Sequence, residues 1–505
     1  MQGGFGMTVE KQFLDYVKKI GAYQEALGVL YWDMRTGAPK KGIDQRSEVV
    51  GVLATDVFNM STSDELKGLL DEMESKLDSF SHVTERVFEE VKKQYDLSKK
   101  IPAEEYKKFV ILQTKSESVW EEAKAKNDWS MFMPYLQELV DTLKQFVTYW
   151  GIKDGNPYNV LLDQYEPGMT TEVLDQVFGD LRKRIVPLLK KIAESPNQPK
   201  TDFLFKHFDK QKQEAFSLDV LHQLGYDFEA GRLDETVHPF ATGLNRGDVR
   251  ITTKYDESDF RSAVFGTIHE CGHAIYEQNV DEELTGTPLA GGASMGIHES
   301  QSLFYENFVG RNPKFWEQNY EKLQSFSPDQ FGDVPMKDFL RAINEVKPSL
   351  IRIEADELTY ALHIMIRYEI EKGLFNGDLK VEDLPTIWNA KYEEYLGIRP
   401  ATNAEGILQD VHWAGASFGY FPSYALGYIY ASQFKAAMLK DIPNFDELFE
   451  RGDLSPIKEW LTQNVHQYGG VKKPLEILKD ATGEGLNGNY LAEYLEEKYT
   501  KIYNL

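Results

Sequence analysis

A chain of 505 residues that is 42% hydrophobic and 13% aromatic has enough apolar side chain for a sizeable core, which excludes global disorder. Its 81 Asp+Glu against 56 Lys+Arg leave a formal charge of −25, which argues against nucleic acid and anionic membranes as partners. The single cysteine, Cys271, excludes an intrachain disulfide, and no run approaches the roughly 18 apolar residues of a membrane span. No basic segment followed by an apolar run opens the chain, so no signal peptide is expected and the expected location is the cytoplasm. Met7 is a candidate natural start, with residues 1–6 a candidate added segment.

Apolar residues at helical spacing predict a helix over residues 10–33, from Phe13, Tyr16, Val17, Ile20, Tyr23, Leu27 and Leu30. The same pattern continues over 41–60, 63–79, 82–99, 102–127 and 129–149. A further helix is expected from a Thr170 or Thr171 cap to the residue before Pro196. Residues 248–255 break the pattern. There polar and apolar residues alternate with β-branched side chains, which predicts one strand with Asp248, Arg250 and Thr252 on one face. That face either lines a cleft or is solvated. Helices are then expected over 256–278, over 298–309 after a glycine-rich stretch at 286–296, over 348–373, and in two shorter pieces at 444–451 and 455–463. No Pro/Ser-rich linker divides the chain, so residues 1–505 are expected to form one mainly α unit, with two lobes facing a groove.

The 256–278 helix carries His269-Glu270-Cys271-Gly272-His273. Residues i and i+4 share a helix face, so His269 and His273 project together at a spacing that suits one metal ion. Glu270 is turned by about 100° and stands beside the metal without ligating it, where a base for bound water belongs. A catalytic zinc site takes three protein ligands. Position 279 is Asn, so no third histidine follows at the HExxHxxGxxH spacing, and Glu299 in the next helix is the candidate third ligand. His298 competes with it or supports it from behind, and Glu306, two turns on, is placed to orient a ligating histidine. Cys271 lies about 200° round from His269 and reads as a packing residue.

Five segments together resemble the Thermus aquaticus-type metallocarboxypeptidases, also called thermostable carboxypeptidase 1-like enzymes. They are Asp248-Val-Arg-Ile-Thr252, His269-Glu-Cys-Gly-His273, His298-Glu-Ser-Gln301, Ile351-Arg-Ile-Glu-Ala-Asp356 and Gly406-Ile-Leu-Gln-Asp-Val-His-Trp413, and His238-Pro-Phe240 also matches. The resemblance implies a helical, saddle-shaped body with a deep groove, similar to neurolysin and angiotensin-converting enzyme. It implies release of single residues from peptide C-termini with broad side-chain tolerance, one Zn²⁺ or Co²⁺ per chain, and a homodimer.

Within that family pattern a guanidinium is expected to hold the substrate's terminal carboxylate. Arg352, held by Asp356 at i+4, is the favoured anchor, and Arg250, paired with Asp248, is its rival. An intrahelical ion pair is the plainer reading of Arg352 and Asp356. His412 and Tyr420, with Tyr424 as the alternative tyrosine, are candidate donors to a tetrahedral oxyanion. The resemblance alone suggests that His238 limits substrate entry. Two other functions remain open: an oligoendopeptidase built on the same metal site, and a non-catalytic metal- or peptide-binding protein.

Overall fold

The computed structural model describes residues 7–505, so the expectation about residues 1–6 lies outside the described residues. The N-terminal third is a run of helices: Val9–Thr36, Ile43–Ser61, Asp64–Glu74, His82–Lys99, Ala103–Lys126 and Trp129–Trp150. Their starts follow local chemistry. Thr8, Ser63 and Ser81 each accept a hydrogen bond from a first-turn amide, satisfying one of the donors that a helix start leaves free. Among the described residues no helix is long and apolar enough to cross a membrane.

Two apolar cores result. The smaller packs Phe13, Val17, Leu66, Leu70, Met73 and Phe88 of the N-terminal helices against Val280, Leu284 and Leu289, which follow the HExxH helix. The larger runs from Ile101 to Tyr503 and takes in both sides of the metal-type helix pair. The body is mainly helical with a small β element, as the sequence predicts.

The expected strand is not alone. Strand β1 (Leu233–Glu235), β2 (Ala241–Asn245) and β3 (Asp248–Thr253) form one sheet in the order β1-β3-β2, with β1 parallel and β2 antiparallel to β3. Leu233 pairs with Ile251 and Thr242 with Arg250, and a bulge lies between Gly243 and Asn245. β1 has three residues and β2 carries a glycine, so neither shows a readable period-2 pattern. Val249 and Ile251 are buried, and Thr267 of the HExxH helix donates to Thr253 Oγ1 at 3.0 Å, fixing that helix to the central strand.

Residues 348–373 are not one helix. Arg352–Glu354 is a single 3₁₀ turn, and the α-helix runs over Tyr360–Asn376. Local hydrogen bonds end the helical pattern early. The Arg352 amide donates to the Gln409 side chain, and Asp356 accepts from the Thr359 and Lys347 amides, a side-chain-to-backbone arrangement that competes with helix. Residues 298–309 are also divided. An α-helix over Met295–Leu303 continues as a π-helical turn over Phe304–Val309, with the Gly310 amide donating to Tyr305 O at 2.7 Å.

Candidate active site

The site stands where two helices touch. Gly272 makes the contact possible: a Cβ there would lie 2.3 Å from Gln301 O and 2.6 Å from Ser302 Cα. A second glycine works from the other side, since a Cβ on Gly427 would lie 2.7 Å from Glu299 Cβ. Glu166, wholly buried, fixes the entry to the Glu299 helix by accepting from Ser294 Oγ, the Gly296 amide and the Tyr430 hydroxyl.

His269, His273 and Glu299 each present one ligand atom, and the three atoms lie within 4.8 Å of one another. Glu299 Oε2 is 3.3 Å from His273 Nε2 and 3.7 Å from His269 Nε2. Burial raises the Glu299 carboxyl, but the neighbouring histidines win and hold it down at about 2, so it is a carboxylate at neutral pH. Two imidazole nitrogens and one carboxylate oxygen form a donor set that suits a divalent cation. The remaining histidine nitrogens are occupied from behind. His269 Nδ1 lies 3.1 Å from Glu306 Oε1, a contact reached from the π-helical turn. His273 Nδ1 lies 2.6 Å from His298 Nδ1, and His298 Nε2 lies 2.7 Å from Glu277 Oε1. When a cation takes the Nε2 lone pairs the protons sit on Nδ1, so His273 Nδ1–H donates to His298 Nδ1 and His298 Nε2–H donates to Glu277, a chain that ends on a carboxylate.

This chain carries a prediction. Glu277→Ala lowers metal affinity by about 10–100-fold, and Glu277→Gln, which keeps an acceptor without the charge, falls between it and the parent. Competition with a chelator of known affinity measures it, and equal affinity in all three proteins would contradict the arrangement.

The groove over these residues has a volume of about 890 Å³. Glu270 lines it beside the histidines. Arg352, Tyr360, Tyr420, Tyr424 and Tyr428 line it elsewhere, and Pro239, Phe240 and Ala241 close another part. Arg352 does not pair with Asp356. Its Nε and Nη2 lie 3.1 and 3.0 Å from Asp410 Oδ1, and its Nη1 donates to the Tyr360 hydroxyl at 3.1 Å. The other Asp410 oxygen takes Arg367 Nε at 2.6 Å. Two buried guanidiniums therefore share one carboxylate. His363 beside them is held neutral by burial and by Arg367, so the cluster retains one uncompensated positive charge facing the groove.

Arg250 and Asp248 are not brought to the groove. Arg250 is bound at both Nε and Nη2 by Asp248 at 2.8 Å and lies 4.5 Å over the Trp32 ring, joining the sheet to the N-terminal helix. His238 is exposed, just before Pro239 at the groove edge. His412 is not among the groove-lining residues. It stands behind Tyr424, 3.3 Å from the hydroxyl, and burial followed by Arg352 pushes it down to about 4, so it is neutral at pH 7. Cys271 is buried in the core. Glu277, Asp410, Arg367 and Tyr360 are absent from the sequence-derived set. Helical spacing marks Glu277, at i+4 from His273, and Asp410 lies inside the Gly406–Trp413 segment.

A helix-borne HExxH pair completed by a glutamate from a second helix, opening on a groove in a helical body, defines a metallopeptidase. Residues 12–499 match the Carboxypeptidase Taq (M32) metallopeptidase family, and the chain belongs to it. It is 60% identical to Carboxypeptidase 1 of Bacillus subtilis over 99% of both chains. It is 39% identical to thermostable carboxypeptidase 1 of Thermus thermophilus, over 95% of this chain and 96% of that one. The solved structure of an M32 carboxypeptidase from Deinococcus radiodurans superposes with a TM-score of 0.95 at 37% identity, covering 99% of this chain and 100% of that one.

Proposed function

We propose that this chain is a Zn²⁺-dependent carboxypeptidase, with Co²⁺ as a competent substitute, that removes single residues from peptide C-termini with broad side-chain tolerance. The observation that carries the reading is the surplus positive charge of Arg352 in the same groove as His269, His273 and Glu299. A terminal carboxylate is the substrate feature that such a buried fork complements, and fixing it places the scissile bond one residue in.

His269, His273 and Glu299 would hold the ion, which when bound supplies the Lewis acidity that brings water deprotonation near pH 7 and polarises the scissile carbonyl. Glu270 takes the water's proton and delivers it to the departing amine. Tyr420 and Tyr424 present hydroxyls from the groove wall toward the developing oxyanion, and His412 sets the position of Tyr424 from behind. Dialysis against a chelator removes activity in this account, and one equivalent of Zn²⁺ per chain restores it. Full activity in metal-stripped protein would exclude the reading.

We also propose a homodimer through the face of the Ile43–Ser61 and Ala103–Lys126 helices. Val52, Phe58, Tyr106 and Ile111 are exposed there at 62%, 48%, 42% and 47%, and the Phe58 and Tyr106 rings stack with centroids 6.2 Å apart. Val52→Glu combined with Ile111→Glu yields a monomer by light scattering, against a dimer for the parent chain. The same mass for both proteins would reject this face.

A further inference from the structure

On the far side of Asn307 and Arg311 from the metal groove lies a second cavity of about 870 Å³, to which these two residues also contribute. Its charge is opposite to that of the chain. The protein has 56 basic residues against 81 acidic ones, yet this lining contains Arg311, Lys337, Arg341, Lys435, Lys498 and Lys501 against Glu497 alone. An acidic protein that gathers cations around one concavity focuses a positive potential there.

Much of that charge is not satisfied internally. Lys501 pairs with Glu497 and Lys498 with Glu357, while Arg341 is spent on the carbonyls of Asn197 and Ile502. Lys435 and Lys337 line the cavity, and neither forms a hydrogen bond or ion pair with another side chain among the described residues. The Lys435 ammonium instead lies 4.9 Å over the Phe308 ring and 4.8 Å over Phe445. Burial, with Lys498 adding to it, pushes this lysine down to about 8 against the pull of Asp446. Arg311 is held within the wall, its guanidinium 3.9 Å over the Phe265 ring and its Nη2 3.8 Å from Glu306. Cations without an internal partner set beside apolar walls suit a ligand that is anionic at one end and apolar at the other. Here the apolar walls are Phe308, Tyr494, Leu340 and Ile502.

We propose that this cavity binds a doubly charged organic anion, a phosphate monoester with a compact apolar body, at a site distinct from the metal groove. The Lys435 ammonium, with Lys337 at the rim, takes the phosphoryl oxygens, and the aromatic and aliphatic walls take the body. The zwitterion of a released amino acid does not fit, because its ammonium group would face these cations.

The test is calorimetric titration of the metal-loaded protein with phenyl phosphate, inorganic phosphate and phenol in turn. Phenyl phosphate is expected to bind, inorganic phosphate to bind more weakly and phenol not at all. Lys435→Met, which leaves an apolar side chain in an aromatic surround, weakens phenyl phosphate by about 10–100-fold, the worth of a charge-assisted hydrogen bond. Lys337→Gln, a change at the exposed rim, weakens it to a smaller extent. Absence of binding, equal binding of phenol, or binding unchanged in both variants would overturn the proposal, the last outcome assigning the phosphate to the metal groove.

Discussion

Replacing Glu270 by glutamine lowers kcat by about 10²–10⁴-fold and leaves the metal in place, because the change removes a proton acceptor and nothing else. Glu270 follows His269 on the Arg261–Gln278 helix, so the helical turn that aims the histidine at Glu299 also aims Glu270 into the groove. It makes no hydrogen bond to another side chain among the described residues, and its oxygens are therefore open to water in the groove. The three residues that offer ligand atoms do not include it. Glutamine keeps the volume and a carbonyl oxygen but cannot accept and return a proton. Steady-state kinetics with metal content measured on the same samples checks this. A variant that holds one metal per chain and retains the parental kcat would place the base elsewhere.

The second large effect is expected at Arg352. Truncating one partner of a buried charged contact costs about 2–5 kcal/mol, so Arg352→Gln lowers kcat/KM on free-acid peptides by roughly two to three orders of magnitude. The loss appears mainly in KM if the contact is as strong in the ground state as in the transition state. The fold survives the change for a specific reason. Asp410 keeps Arg367, whose guanidinium is fully buried and also donates to His363 O, Tyr392 Oη and Gln409 Oε1, so a one-to-one ion pair remains. Arg352→Lys retains the charge but loses the planar fork, and recovers only part of the loss. Melting temperature and metal content measured on the same variants separate this from general damage, because a role confined to the substrate's terminus leaves both unchanged. A lowered melting temperature or lost metal alongside the lost activity would mean that Arg352 serves the fold and not the terminus.

The legibility of this chain follows the range of each interaction. The shared direction of His269, His273 and Glu270 is readable because i, i+1 and i+4 on a helix fix relative direction within one turn, whereas sequence leaves Glu299 and His298 as competing third ligands and only the packing of the two helices brings Glu299 to the pair. Spacing places His298 and Glu306 beside Glu299 on one stretch, but that each meets the Nδ1 of a histidine on the other helix comes from the packing of the two. Arg352 was recognised as a groove cation, but its partner was assigned by proximity in sequence. Asp356 at i+4 is occupied by the Thr359 and Lys347 amides, and the true partner, Asp410, lies on a distant loop that no local period reveals. Arg250 was misplaced similarly. Alternation on β3 put it on the polar face correctly, yet only the packing of the N-terminal helix decides that this face meets Trp32 and not the groove. The short strands β1 and β2 and the π-helical turn carry too few residues for any periodicity to speak. The cationic cavity behind Arg311 gathers side chains from five separate segments and has no sequence signature at all.

A paired digestion followed by mass spectrometry decides directly whether this chain trims peptides from the C-terminus. A peptide with a free C-terminus and its amidated twin are incubated with the Zn²⁺-loaded protein, alongside a chelated control. The expected result is a ladder of single-residue losses from the free-acid peptide, an intact amide, and no cleavage of either in chelator. Internal cuts in both twins would contradict it and make the chain an oligoendopeptidase; metal bound with neither twin cleaved would make it a binding protein.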